Sequence, residues 1–156
     1  LGLLVLKACE LRDKGLGIKE IEEGILKAIP KVKCSLNFES LENLVRGGRL
    51  SKTAGTIGSV LGLRLILEIK DGKIFDSTVT GIIKSENGKK LVSDFESADV
   101  DFDSPIVLLE LLNEDVYQGL KIYFQEKNIN YIDAKVGCTV GIHSGIKPCG
   151  IFFFEK

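Results

Sequence analysis

The sequence predicts an α/β fold, a two-layer domain with helices packed on a mixed sheet of about six strands. Three observations carry this. Segments with apolar residues at helical spacing are interleaved with short apolar or alternating runs that suit strands. Asp71-Gly72, between two such runs, is a hairpin signal and makes one strand pair antiparallel. The strand–helix–strand stretch from Pro105 to Val136 needs a crossover and makes another pair parallel. At 156 residues, the chain suits one domain with a real core.

Residues 3–14 read as a helix ending near Gly15, although Leu3 to Leu6 alone fits a short buried strand equally well. In residues 18–29, Ile18, Ile21, Ile25 and Ile29 share one helical face and Pro30 ends the helix. Lys31 to Phe38 reads as a strand with Val32, Cys34, Leu36 and Phe38 on one side. Ser40 begins a short helix through Val45 that stops at Gly47-Gly48. Ser51 sits where a helix N-cap belongs, and the following helix carries Gly55, Gly58 and Gly62 as a small-residue stripe flanked by Ala54, Ile57 and Leu61. Arg64 to Lys70 and Lys73 to Ile83 are the two hairpin strands. A short helix from Lys89 to Ser97 follows the Asn87-Gly88 turn. The acidic group Glu96, Asp99, Asp101 and Asp103 lacks the glycine and closing Glu of a calcium loop and reads as a solvated loop.

Pro105 to Leu112 is an apolar strand. Asn113 is placed to cap the next helix, with Glu114 and Asp115 at its positive end. Val116, Leu120, Tyr123, Phe124 and Lys127 share a face of that helix, and Asn128 closes it. Tyr131 to Val136 is a strand and Gly137 to Gly150 a loop. Ile151 to Phe154 is unbroken in hydrophobicity and therefore a covered, central strand.

Composition narrows the function. A net charge of −1 gives no basic field for nucleic acid. No apolar run approaches the ~20 residues of a membrane span. The apolar start, Leu1 to Leu6, lacks the basic flank and small-residue cleavage site of a signal peptide. Starting at Leu1, the chain suggests a piece of a longer protein. Cys9, Cys34, Cys138 and Cys149 are too sparse for a disulfide scaffold, which points to reduced thiols and a cytoplasmic setting. Cys138, His143 and Cys149 match no structural zinc spacing, so no metal and no cofactor is expected.

Two places can carry chemistry. Arg46 and Arg49 flank the glycine turn, beside a helix N-terminus and a shallow apolar trough. An anionic head and an apolar tail would suit that combination, because helix N-termini favour anions and Arg grips a carboxylate with two hydrogen bonds. The plain alternative is close helix packing at the glycines and solvated arginines. His143, the only histidine, lies between Gly141 and Gly145, on what reads as an approachable loop. No nucleophile elbow, phosphate loop or dinucleotide fingerprint is present, and Tyr117, Tyr123 and Tyr131 are too dispersed to stack bases. These negatives favour a binding protein over an enzyme. A small hydrolase or transferase using His143 as general base is the alternative, and a dimerisation module a third.

The run Leu-Glu-Asn-Leu-Val-Arg-Gly-Gly-Arg-Leu-Ser-Lys at 41–52, the apolar helix, the strand with Asp-Gly-Lys-Ile, and Val-Gly-Ile-His-Ser-Gly at 140–145 together resemble the C-terminal half of DegV-family fatty-acid-binding proteins. The order and spacing match along nearly the whole chain. The resemblance implies that residues 1–156 are one domain, the second and smaller one of such a protein, without its N-terminal domain. It implies a long-chain fatty acid held in an apolar tunnel, its carboxyl end presented to a fatty-acid kinase that makes an acyl phosphate for phospholipid synthesis. On this sequence Arg49 and His143 would hold the carboxylate, with Arg46 a weaker candidate, and Ala54, Ile57, Gly58 and Leu61 would line the tunnel. Three departures stand out. The first domain's hydroxyl groups are not in this chain, the His motif continues as Gly145-Ile-Lys-Pro-Cys-Gly150, and the stretch after the hairpin has only Lys84, Lys89 and Lys90 for docking a kinase.

Overall fold

A computed structural model describes residues 1–40, 42–49, 65–67, 69–70, 73–74 and 88–156. Its helices are α1 (Gly2–Asp13), α2 (Ile18–Ala28), α3 (Glu42–Arg46), α4 (Lys89–Ser97), α5 (Glu114–Glu126) and α6 (Cys138–Ser144). Its strands are β1 (Val32–Phe38), β2 (Leu65–Leu67), β3 (Ile69–Lys70), β4 (Lys73–Ile74), β5 (Val107–Glu110), β6 (Ile132–Lys135) and β7 (Cys149–Phe154). Among the described residues the main sheet has five strands in the order β2-β1-β7-β5-β6, and β3-β4 form a separate antiparallel ladder. The expected α/β class with a mixed sheet is what the chain adopts. β5 pairs with β6 in parallel, and β1 and β5 both run antiparallel to β7. The turn at Asp71-Gly72 lies outside the described residues.

Strand alternation sends side chains to both faces, and helices cover both, so the arrangement is richer than two layers. On one face Leu108, Cys149, Ile151 and Phe153 meet Leu91 and Phe95 of α4 and Val116, Leu120 and Phe124 of α5. Phe95 meets Phe153 edge-on, 5.2 Å between centroids, which keys α4 to the central strand. On the other face Cys34, Leu36, Phe38 and Leu109 pack with Leu44 of α3, while Phe154 and Val32 pack with Leu3 of α1 and Ala28 of α2. The central β7 takes part in all three clusters, as its unbroken hydrophobicity implies. β1 is buried on both sides: Ser35 and Asn37 point away from Cys34, Leu36 and Phe38, and Ser35 Oγ donates to Asp94 Oδ2 of α4 at 2.9 Å.

Several local expectations change. Leu3 to Leu6 is helix, not strand. Residues 29–31 close α2 as a 3₁₀ turn, and Ile18 and Ile29 of its apolar face remain 80% and 49% exposed. Asn113 is the N-cap residue of α5, as expected, but its side chain makes no cap bond: its amide donates across to the Lys147 carbonyl at 2.7 Å. The segment 137–150 is not all loop, because α6 forms within it.

Strand direction decides where the candidate residues gather. β1, β5 and β6 run the same way, so their carboxyl ends share one edge with the start of β7. α3 leaves β1 at that edge, and α6 joins β6 to β7 there. Carboxyl edges of such sheets are where ligands commonly bind.

Candidate functional site

The turn after α3 is built by its own backbone. Arg49 N–H donates to Leu44 O at 2.8 Å and Gly48 N–H to Val45 O at 3.1 Å. These two bonds form a Schellman cap, and Gly48 supplies the left-handed residue it needs, φ +68°. Arg49 is therefore the first residue past the cap, fixed by a main-chain bond. Its guanidinium turns back, and Nη1 donates to Gly47 O at 2.7 Å. That bond satisfies a carbonyl at the helix end. A guanidinium carries five N–H groups, so one such bond orients it without exhausting it. Arg49 is exposed.

α6 brings His143 to the same turn. Gly137 precedes it in extended conformation and Gly145 ends it with φ +73°. The His143 ring occupies the place a Gly47 side chain would take: a Cβ built there would overlap Nδ1 and lie 3.1 Å from Cε1. Nδ1 is buried and has no hydrogen-bond partner among the described residues. With Nδ1 turned onto Gly47, Nε2 is the ring nitrogen left to meet a ligand. Arg49 and His143, 94 residues apart in sequence, thus both touch Gly47, one at its carbonyl and one at its α-carbon.

The neighbours are less reactive. Arg46 Nη2 pairs with Glu42 Oε1 at 2.6 Å, a solvated i,i+4 pair on the outer face of α3. Ser144 Oγ donates to the Gly145 carbonyl, so it forms no hydroxyl–imidazole pair with Nδ1. The Cys149 thiol is fully buried, and burial first, then the Glu110 carboxylate, pushes its pKa up to about 12, which keeps it protonated. Beside the site Ile142, Ile146 and Leu112 leave apolar surface open, 74%, 65% and 70% exposed. Among the described residues no three His, Cys, Asp or Glu side chains converge as metal ligands, and no helix is long and apolar enough to cross a membrane.

Ala54, Ile57, Gly58 and Leu61, together with Ser51, lie outside the described residues. Asn43 escaped the sequence reading. Its side-chain amide lies where a Gly145 Cβ would be. The available signal was Gly137 and Gly145 bracketing seven residues, the spacing of a short helix with glycine at both bounds.

A family model described as "Uncharacterised protein, DegV family" matches residues 1–156. A DegV domain-containing protein of Clostridium acetobutylicum is 45% identical over 158 residues, which cover 100% of this chain and 56% of the relative. One of Clostridium perfringens is 40% identical over the same shares. The chain therefore spans about half the length of the curated relatives it matches. Among solved structures, a DegV family protein from Eubacterium eligens loaded with heptadecanoic acid superposes with a TM-score of 0.77 at 18% identity, over 99% of this chain and 56% of that one. The Streptococcus pneumoniae Fatty Acid Kinase (Fak) B3 protein loaded with linoleic acid gives 0.78 at 21%, over 99% and 55%. At these identities the structural likeness speaks for the fold.

Proposed function

The chain belongs to the DegV family, and from that premise we propose that it binds one long-chain fatty acid and presents the carboxyl group to a partner fatty-acid kinase for acyl-phosphate formation. The single observation behind this is the shared contact of Arg49 and His143 with Gly47. A carboxylate leaving water needs hydrogen-bonded, positively charged company. A guanidinium fork beside an imidazole N–H offers both, from positions at the carboxyl ends of two helices. The open apolar surface of Ile142, Ile146 and Leu112 suits a greasy ligand or a covering domain. The fatty acids carried by solved relatives of this fold support the ligand class, and the kinase name of one supports the partner.

In this scheme Arg49 and His143 hold the carboxylate, Arg46 stays at the surface, and Ala54, Ile57, Gly58 and Leu61 line the tunnel. Residues 1–156 act as the second domain, and a first domain completes the tunnel. The tail supplies most of the affinity: about 14 methylenes at ~0.8 kcal/mol each give about 11 kcal/mol of gross burial. Association and ordering remove much of this and leave micromolar or tighter binding. The chain then acts as a carrier and not as a catalyst. The test is native mass spectrometry of the full-length protein, first domain included, purified from cells. One bound fatty acid is expected, at lower occupancy in His143→Ala; a ligand-free mass for the unaltered protein contradicts the proposal.

A further inference from the structure

α3 and α6 each seat a side chain on the other's terminal glycine. His143 of α6 lies over Gly47, the residue that ends α3. Asn43 of α3 lies over Gly145, the residue that ends α6. In each case a methyl group on the glycine would overlap the visiting polar group. Asn43 also ties the two seats together, because its carbonyl accepts the Gly47 N–H at 2.9 Å. The two seats therefore sit at the two ends of one hydrogen-bonded turn, Asn43 to Gly47. Nothing else described at His143 Nδ1 fixes the ring, since that atom has no hydrogen-bond partner among the described residues.

We propose that this reciprocal seating is a lock that sets the plane and tautomer of His143, with Asn43 as its positioning residue, resting on the carboxylate role of His143 proposed above. Among the described residues Nδ1 is unpaired in either tautomer, so the form that places the ring's one N–H on Nε2 is the one whose donor an acceptor can reach. With Nδ1 bare, the neutral ring carries its hydrogen on Nε2, ready to donate to a carboxylate oxygen. Binding then begins from an already oriented donor, and ordering the ring adds no cost. Gly47 and Gly145 are required by the lock, and not only by the turns they end.

His143 is the only histidine, so its ring nitrogens can be read by ¹⁵N NMR in the intact protein without assignment. Spectra are taken above the usual imidazole titration range. The unaltered protein should show Nδ1 bare and Nε2 protonated. Asn43→Ala, which adds no clash, should admit water to Nδ1 and give mixed tautomers with helix content unchanged. Gly47→Ala should do the same by pushing the ring away. With palmitate as probe, Asn43→Ala should weaken binding about tenfold, and Asn43→Ala/His143→Ala should bind no more weakly than His143→Ala, because Asn43 acts through the ring. Unchanged ring shifts in both single variants, or additive losses in the double variant, would overturn the lock. If the ring shifts respond while palmitate fails to bind the unaltered protein, the lock stands and the ligand assignment falls.

Discussion

Two adjacent glycines after α3 answer to different physics. Gly48 is needed for its backbone, at φ +68° in a Schellman cap, where nothing crowds a Cβ. Gly47 is needed for space, because His143 fills the site a side chain would occupy. Gly48→Ala should therefore lower stability by about 1–2 kcal/mol, the penalty for a left-handed L-residue, and leave the His143 ring in place. Urea unfolding measures the first and the ring's ¹⁵N shifts the second. Cys149 carries a different prediction. Burial pushes its folded-state pKa up to about 12, well above the ordinary thiol value of about 8.5. Between these values the unfolded chain has lost the thiol proton and the folded one retains it, so stability must fall as pH rises from about 8.5 to about 12. The slope from this group is at most about 1.4 kcal/mol per pH unit. Comparing the alkaline unfolding of the unaltered protein with Cys149→Ala isolates it, and equal slopes would contradict the assignment.

The elements differ in how much tertiary contact they need, and that governs how legible each was. α4 reads at its bounds, Lys89 to Ser97, because Leu91 and Phe95 at i,i+4 face the core and Gly88 turns the chain in at φ +78°. β7 reads as central because every residue from Ile151 to Phe154 is apolar. α6 does not read as helix. It is seven residues long with Gly141 inside it, too short to hold on propensity, and it packs that glycine against Leu111 and Val136. Asn113 has cap chemistry in sequence, but the Lys147 carbonyl, 34 residues on, takes its amide. Arg49 and His143 were both marked from sequence, yet their meeting at Gly47 depends on parallel strands placing α3 and α6 at one edge. Core and surface should part clearly under mutation. Phe124 is fully buried and packs at a tilt against Phe95, so Phe124→Ala should cost about 3–5 kcal/mol by calorimetry or urea unfolding. Ile18→Ser, at 80% exposure, should stay within about 0.5 kcal/mol.

At the scale of the molecule, a sheet covered on both faces is a rigid frame that gathers the candidate residues at one edge. Three strands end there, two helices interlock there, and Ile142, Ile146 and Leu112 are open to solvent beside them. The frame sets Arg49 and His143 side by side at Gly47, where the proposed fatty acid would meet them with its head and the apolar rim with its tail. If a carboxylate is what they hold, the head group and not only the tail must be discriminated. The direct measurement is a titration of palmitate against methyl palmitate, whose tail is the same and whose head carries no charge. The unaltered protein should bind the acid more tightly than the ester, and Arg49→Ala combined with His143→Ala should erase that preference while leaving ester binding unchanged. Equal affinity of the unaltered protein for acid and ester, or a preference that survives the double substitution, would contradict the account.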